Sequence, residues 1–280
     1  MGMMLVMVSA GCASGIVTQP VSLTNVTPRT PQEIAATLVR PAGEGPFPAI
    51  VQLHGCGGLV PQSTRWARWF AERGYVALVV DSFGPRHVAA DCRSGPDEPP
   101  LTARFDDAFG ALRFLQSQPY VQGDRIAAIG WSQGGVYAMA VINGPSLERA
   151  RTRGVELPAV GFAAAIGVYP GACFSLVKEL VTRPLLVLIG AADDWTPATG
   201  CAEMVNAMRA RGADATIVVY PGAYHYFDVE GQKQEVLAEV ENDLKPDGHG
   251  ATVAYQAEAA ADAHRRVEAF LARHLGPASR

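Results

Sequence analysis

Short, nearly unbroken apolar runs alternate along the chain with longer stretches whose apolar positions recur every three or four residues. The runs lie at 47–54 (FPAIVQLH), 75–80 (YVALVV), 125–129 (RIAAI), 162–169 (FAAAIGVY), 185–189 (LLVLI) and 216–220 (TIVVY), preceded by a more mixed strand pattern at 33–40. Strands with no polar alternation are those covered on both faces, as in parallel sheets. The intervening spacing predicts helices over 63–73, 101–117, 133–142, 201–211 and 255–274. In the first of these Trp66, Trp69 and Phe70 share a face, and Gly74 supplies a stop signal. Alternation of this kind predicts the α/β class: a mostly parallel, doubly wound sheet with helices on both faces, in a single domain. Ligands of such sheets sit at the carboxyl ends of the strands, so the loops there carry the chemical reading. Residues 82–100 and 241–251 are rich in Pro, Gly and charge and read as long irregular loops that could wall a pocket.

Composition narrows the picture. With 280 residues, 49% hydrophobic and 18% charged, the chain can bury a core without a metal or disulfide staple. A net charge of -4 and the lack of a Lys/Arg block argue against nucleic acid and anionic membranes as partners. The domain is expected to span 21–280. Residues 1–20 open with an apolar run followed by small residues (MGMMLVMVSAGC), which predicts a secretory signal. Ala10-Gly11-Cys12 is also similar to a lipoprotein cleavage box, with Cys12 as the lipid-bearing anchor. Export to the periplasm or to a membrane surface is therefore expected. The missing basic start and Ser9 leave a cytoplasmic chain as the alternative. The remaining cysteines are Cys56, Cys92, Cys173 and Cys201, without a CxxC pair or a histidine at ligand spacing, so no metal site is expected. Cys173 and Cys201 both follow predicted strand ends and could meet in a disulfide; free buried thiols are the alternative.

The chemistry concentrates at Gly130-Trp131-Ser132-Gln133-Gly134, a G-x-S-x-G between a predicted strand and a predicted helix. That context defines a nucleophile elbow, in which the turn is so sharp that flanking residues must be small and the serine hydroxyl projects above the sheet. A serine nucleophile needs a base, and the base an orienting acid, here in the order Ser, acid, His. Of six histidines, only His225 follows a strand in the right place. The acid falls after the 185–189 strand, where Asp193 and Asp194 compete. The oxyanion donors are expected to be the N–H of Gln133 and, from the glycine-rich HGCGG at 54–58, that of Cys56. In that loop His54 reads as a support. Cys56 as nucleophile is a rival that lacks the strand–elbow–helix setting. Arg86, Trp131, Trp195 and Tyr226 are candidate substrate-binding residues, with Phe83, Tyr169 and Tyr224 as further aromatic candidates.

Together HGCGG at 54–58, DSFGPR at 81–86, GWSQGG at 130–135, GAADDWTP at 190–197 and YPGAYHYFD at 220–228 resemble the dienelactone hydrolase family of α/β-hydrolases. The resemblance spans roughly residues 33–275. It implies an α/β-hydrolase fold, no metal and no organic cofactor, and it selects Asp193, four residues before Pro197, as the acid. Two departures matter. Founding members of the family carry a cysteine where this chain has Ser132, and an arginine where it has Val229. A serine hydrolase acting on a small ester or lactone-like substrate through an acyl-enzyme is thus expected, in preference to dienelactone hydrolysis. A peptidase or other acyl-transfer enzyme, and a non-catalytic exported binding protein on the same scaffold, are the alternatives.

Overall fold

The computed structural model describes residues 15–89, 92, 101–176 and 178–276. Its centre is an eight-stranded sheet ordered β1-β2-β4-β3-β5-β6-β7-β8. The strands are β1 (Ile16–Thr24), β2 (Glu33–Pro41), β3 (Phe47–Leu53), β4 (Val76–Asp81), β5 (Val121–Trp131), β6 (Ala164–Val168), β7 (Leu185–Gly190) and β8 (Ala215–Tyr220). β1 and β2 run antiparallel to their neighbours, and all other pairs are parallel. Every residue of β3, β6 and β7 is buried, which requires cover on both faces. The cover comes from α1 (Pro61–Glu72), α2 (Leu101–Gln116), α3 (Gln133–Ala140), α4 (Gly144–Thr152), α5 (Ala198–Ala210) and α6 (Ala257–Leu275). α1 and α6 meet where Trp66 stacks on His264 at 3.9 Å. His264 is half-buried there, and burial pushes its pKa down to about 4.

The chain order matters for function. From β3 the chain steps outward to β4 on one side, then crosses back to β5 on the other. The strand order reverses between β3 and β5, and their carboxyl ends, Leu53 and Trp131, form a topological switch point.

Several elements escape the sequence patterns. β1 pairs with β2 in full register, from Ile16 opposite Pro41 to Thr24 opposite Glu33, so the folded chain begins before the expected boundary at residue 21. Pro20 and alternate polar positions hide the strand in the sequence, and both are tolerated at a sheet edge. Of the expected signal segment, residues 1–14, Cys12 included, lie outside the described residues. The 241–251 stretch is not irregular throughout. β9 (Glu235–Glu241) and β10 (His249–Val253) form a separate two-stranded sheet. The mostly exposed, charged EVLAEVE pattern of β9 leaves no apolar run to read. α4 opens with Gly-Pro and is capped by Asn143, whose side chain accepts from the Ser146 N–H at 2.9 Å. Two disulfides form, Cys173–Cys201 and Cys56–Cys92.

Arg86 corrects its expected role. All five of its N–H donors are engaged. Two reach Asp107 at 2.7 and 2.8 Å, two reach Gln32 Oε1 at 3.0 and 2.8 Å, and one reaches the Ser82 carbonyl at 2.7 Å. Asp107 is fully buried and accepts a further bond from Asn25 at 3.0 Å. The guanidinium therefore joins the β4 end to α2 and the β1–β2 connection, and has no donor left for a substrate. Removing one partner of a buried, bonded pair strands the other charge. Arg86→Ala is expected to lower the unfolding free energy by about 3–5 kcal/mol. Chemical denaturation checks this, and an unchanged midpoint would show that the pair is dispensable.

Candidate active site

β5 delivers Ser132 at the switch point with φ 52° and ψ -119°, a conformation that side-chain-bearing residues avoid and that functional turns retain. The neighbouring glycines permit it. A Cβ at Gly130 would lie 2.0 Å from the Gly134 carbonyl oxygen, and one at Gly134 would lie 2.1 Å from that of Leu53. The elbow is anchored by the Ser132 N–H, which donates to the Val168 carbonyl at 2.9 Å, and α3 begins at the next residue.

The loop after β3 is held against this elbow. A Cβ at Gly55 would meet the Trp131 carbonyl at 3.3 Å and Ser132 Cβ at 3.5 Å. The loop closes with Gly58 N–H donating to the Gly55 carbonyl at 3.2 Å. Cys56 and Gln133 thus sit on two backbone segments in mutual contact. Cys56 is in a disulfide with Cys92, which removes it as a nucleophile. His54 supports the loop. Its Nε2 accepts from the Ser82 N–H at 3.2 Å, so Nδ1 carries the proton and donates to the Gly55 carbonyl at 2.7 Å. Burial, reinforced by the nearby Arg104 charge, pushes its pKa down to about 3, so the ring is neutral.

Arg104 is a site residue that the sequence patterns do not single out. It lies buried on α2 and donates to the His54 carbonyl and to Gln133 Oε1, linking the two segments expected to supply oxyanion donors. Its guanidinium is 5.0 Å from the Phe83 ring centroid and 4.6 Å from that of Tyr137. The only signal available was a cation inside an otherwise apolar helical face.

The two carboxylates after β7 diverge. Asp193 is buried and its Oδ2 lies 2.8 Å from Nδ1 of the fully buried His225. Its other oxygen accepts the N–H groups of Trp195 and Thr196 at 3.0 and 2.8 Å. Asp194 turns to the β9–β10 hairpin, where it binds Lys245 at 2.8 Å and the Thr252 N–H and hydroxyl at 2.8 and 2.9 Å. Partial burial pushes its pKa up, but those bonds outweigh it and leave the carboxyl below its ordinary value. Of the two, Asp193 is the partner of His225. The other ring nitrogen, Nε2, is buried and has no hydrogen-bond partner among the described residues, Ser132 included. The end of β6 lies between the two. Val168 accepts from Ser132, and the adjacent Tyr169 ring packs 4.4 Å from the His225 ring.

The expected aromatic residues divide into two groups. Trp195 and Tyr226 are half-buried with ring centroids 4.8 and 5.1 Å from that of His225. Trp131 is not a substrate contact. Its indole N–H donates to Asp228 at 2.8 Å and its ring packs on Trp66 in the interior. Asp228 is a second unforeseen residue. It is buried and also accepts from Trp66 at 3.0 Å and from the Tyr169 hydroxyl at 2.8 Å. Burial raises its pKa, and these bonds oppose the rise. It ties the residue before Ser132 and the ring against His225 to the loop that bears His225.

An α/β sheet with a strained serine at its switch point and a buried Asp–His pair at neighbouring strand ends is the arrangement of the α/β-hydrolases. The chain belongs to the dienelactone hydrolase family, whose model matches residues 34–275, and it is a hydrolase. Over 202 residues, 69% of this chain and 78% of the relative, it is 26% identical to a Bradyrhizobium sp. protein named "Probable 2-oxo-3-(5-oxofuran-2-ylidene)propanoate lactonase". A dienelactone hydrolase-like promiscuous phosphotriesterase from metagenomic libraries shares the fold, with TM-score 0.63, 20% identity and coverage of 92% of this chain and 98% of that one. Thermogutta terrifontis esterase 2, in a structure phosphorylated by paraoxon, does so with TM-score 0.63, 19% identity and coverage of 92% and 96%.

The neutral His54 has a measurable consequence. Below pH 6.5 the unfolded chain takes up a proton at residue 54 and the folded chain does not, so stability falls with pH until the folded pKa near 3 is reached. This residue alone is expected to remove about 2 kcal/mol between pH 6.5 and 5. Denaturation curves for wild type and His54→Asn test this: the variant should show a flatter dependence of stability on pH across that interval, and parallel dependences would refute the assignment.

Proposed function

We propose that this hydrolase cleaves carboxylic esters of small molecules through an acyl-enzyme formed on Ser132. His225 Nε2 takes the hydroxyl proton as Ser132 Oγ attacks the carbonyl carbon. Asp193 holds the proton on Nδ1 and stabilises the imidazolium that forms. The N–H groups of Cys56 and Gln133 receive the oxyanion, and the imidazolium then protonates the departing alkoxide. Water repeats the sequence and frees the acid. Trp195 and Tyr226 flank the acyl or alcohol group, which favours substrates with apolar parts.

The observation that supports this reading is the buried Asp193–His225 bond at 2.8 Å, with His225 Nε2 left without a hydrogen-bond partner among the described residues. Most buried polar side-chain atoms find a partner, so an open nitrogen on a histidine whose other nitrogen is held by a buried carboxylate is suited to take up a proton. The lactonase-named relative and the paraoxon-modified esterase fit the same chemistry. Export is part of the proposal, because two disulfides persist in oxidising compartments.

Ser132→Ala is expected to reduce hydrolysis of a short-chain p-nitrophenyl ester by roughly 10⁴-fold or more and to abolish labelling by paraoxon. Asp193→Asn should lower kcat by about 10³- to 10⁴-fold, and Asp194→Asn far less. Full activity in Ser132→Ala would reject the mechanism, and a larger loss at residue 194 than at 193 would reassign the acid.

A further inference from the structure

The Cys56–Cys92 disulfide has a place that the reaction scheme leaves unused. Cys56 lies in the loop that Gly55 presses against Ser132, and its backbone N–H is the expected oxyanion donor. A backbone donor is only as well placed as its loop. On the far side of the bond, the Cys92 carbonyl accepts the Glu241 N–H of β9 at 3.4 Å. The Glu241 carbonyl in turn accepts the indole N–H of Trp195 at 2.9 Å, and Trp195 packs against His225. A Cβ at Gly57 would lie 3.8 Å from the Tyr226 hydroxyl and 4.0 Å from Cys92 Sγ, so the disulfide, the oxyanion loop and the residue after His225 converge. The disulfide therefore joins the oxyanion loop to the hairpin that backs the acid and histidine loops.

We propose that Cys92 is a positioning residue for the oxyanion hole, acting through its bond to Cys56, so that full turnover requires the oxidised enzyme. The inference rests on the serine-hydrolase reading. Both sulfurs of this pair belong to partly exposed residues, whereas Cys173 and Cys201 are buried. A water-soluble phosphine is thus expected to reduce the first bond selectively. Phosphorus attacks one sulfur, the S–S bond breaks, and water supplies the oxygen of the phosphine oxide and the protons of two thiols. The loop is then held by its hydrogen bonds alone.

The test compares Cys92→Ser, the control Cys173→Ser/Cys201→Ser, and wild type on a p-nitrophenyl short-chain ester, with thermal melts for each. The two bonds close segments of similar separation, 36 and 28 residues, so comparable falls in Tm are expected. Cys92→Ser should lose about 10- to 100-fold in kcat with KM little changed, because the interaction lost is made with the developing oxyanion. The control should keep its kcat. If Cys92→Ser does not fold, phosphine treatment of wild type below its Tm replaces it: activity should fall as two thiols appear and return on reoxidation. Wild-type kcat in folded Cys92→Ser, or full activity after that bond is reduced, overturns the proposal. Activity surviving in Ser132→Ala would instead overturn the reading beneath it.

Discussion

The site depends on one close approach of backbone to backbone. Where β3 and β5 end side by side, the chain after β5 must turn sharply enough to put Ser132 above the sheet while Gly134 passes under the Leu53 and His54 carbonyls. A Cβ at Gly134 would lie 2.1 and 2.5 Å from those oxygens, so no other residue fits without moving one strand end. The same contact brings the loop after β3 over the serine. The strain at Ser132, with φ 52°, is thus tolerated because a parallel pair, a helix start and a glycine packing contact all constrain it together. The position of Ser132 follows from topology, since only at the point of strand reversal do two such loops diverge.

Around that contact the molecule keeps its buried polar groups in states suited to their neighbours. His54 is kept neutral by burial and by Arg104. Neutrality is what its bonds require, because one ring nitrogen must accept from Ser82 while the other donates to Gly55. Arg104 bridges the two chain segments that flank Ser132. Asp228 collects donors from α1, the elbow and the end of β6. Each of these groups carries a desolvation cost that only several simultaneous bonds offset. Such networks specify one arrangement of loops, which a purely apolar packing would not do.

How much of this is legible in the sequence follows from the range of the interactions involved. The buried strands are announced by local composition, and Ser132 and His225 by a short motif and a chain order. Asp193 and Asp194 are indistinguishable from their residues alone, because the choice depends on which direction each side chain takes from a loop; only the resemblance favoured Asp193. β1 and β9 are edge or exposed strands and carry no apolar run. Arg86 and Trp131 look available in the sequence because their partners, Asp107 and Asp228, are distant along the chain and adjacent only in the fold. Arg104, Asp228 and the bond from Cys56 to Cys92 are unreadable for the same reason.

The paired carboxylates after β7 show how the fold resolves such ambiguity. Consecutive loop residues point apart, so two aspartates can serve two sides of one loop. Asp193 faces inward, and with its two N–H donors and His225 it is held in place at full burial. Asp194 faces the β9–β10 hairpin and fastens it through Lys245 and Thr252. The hairpin then returns to the site twice. Its Glu241 carbonyl fixes Trp195 beside His225, and the Val253 end of β10 pairs with His225 itself. A hairpin with a largely exposed strand is thereby fastened next to His225, and the aspartate that makes no bond to the imidazole still governs what surrounds it.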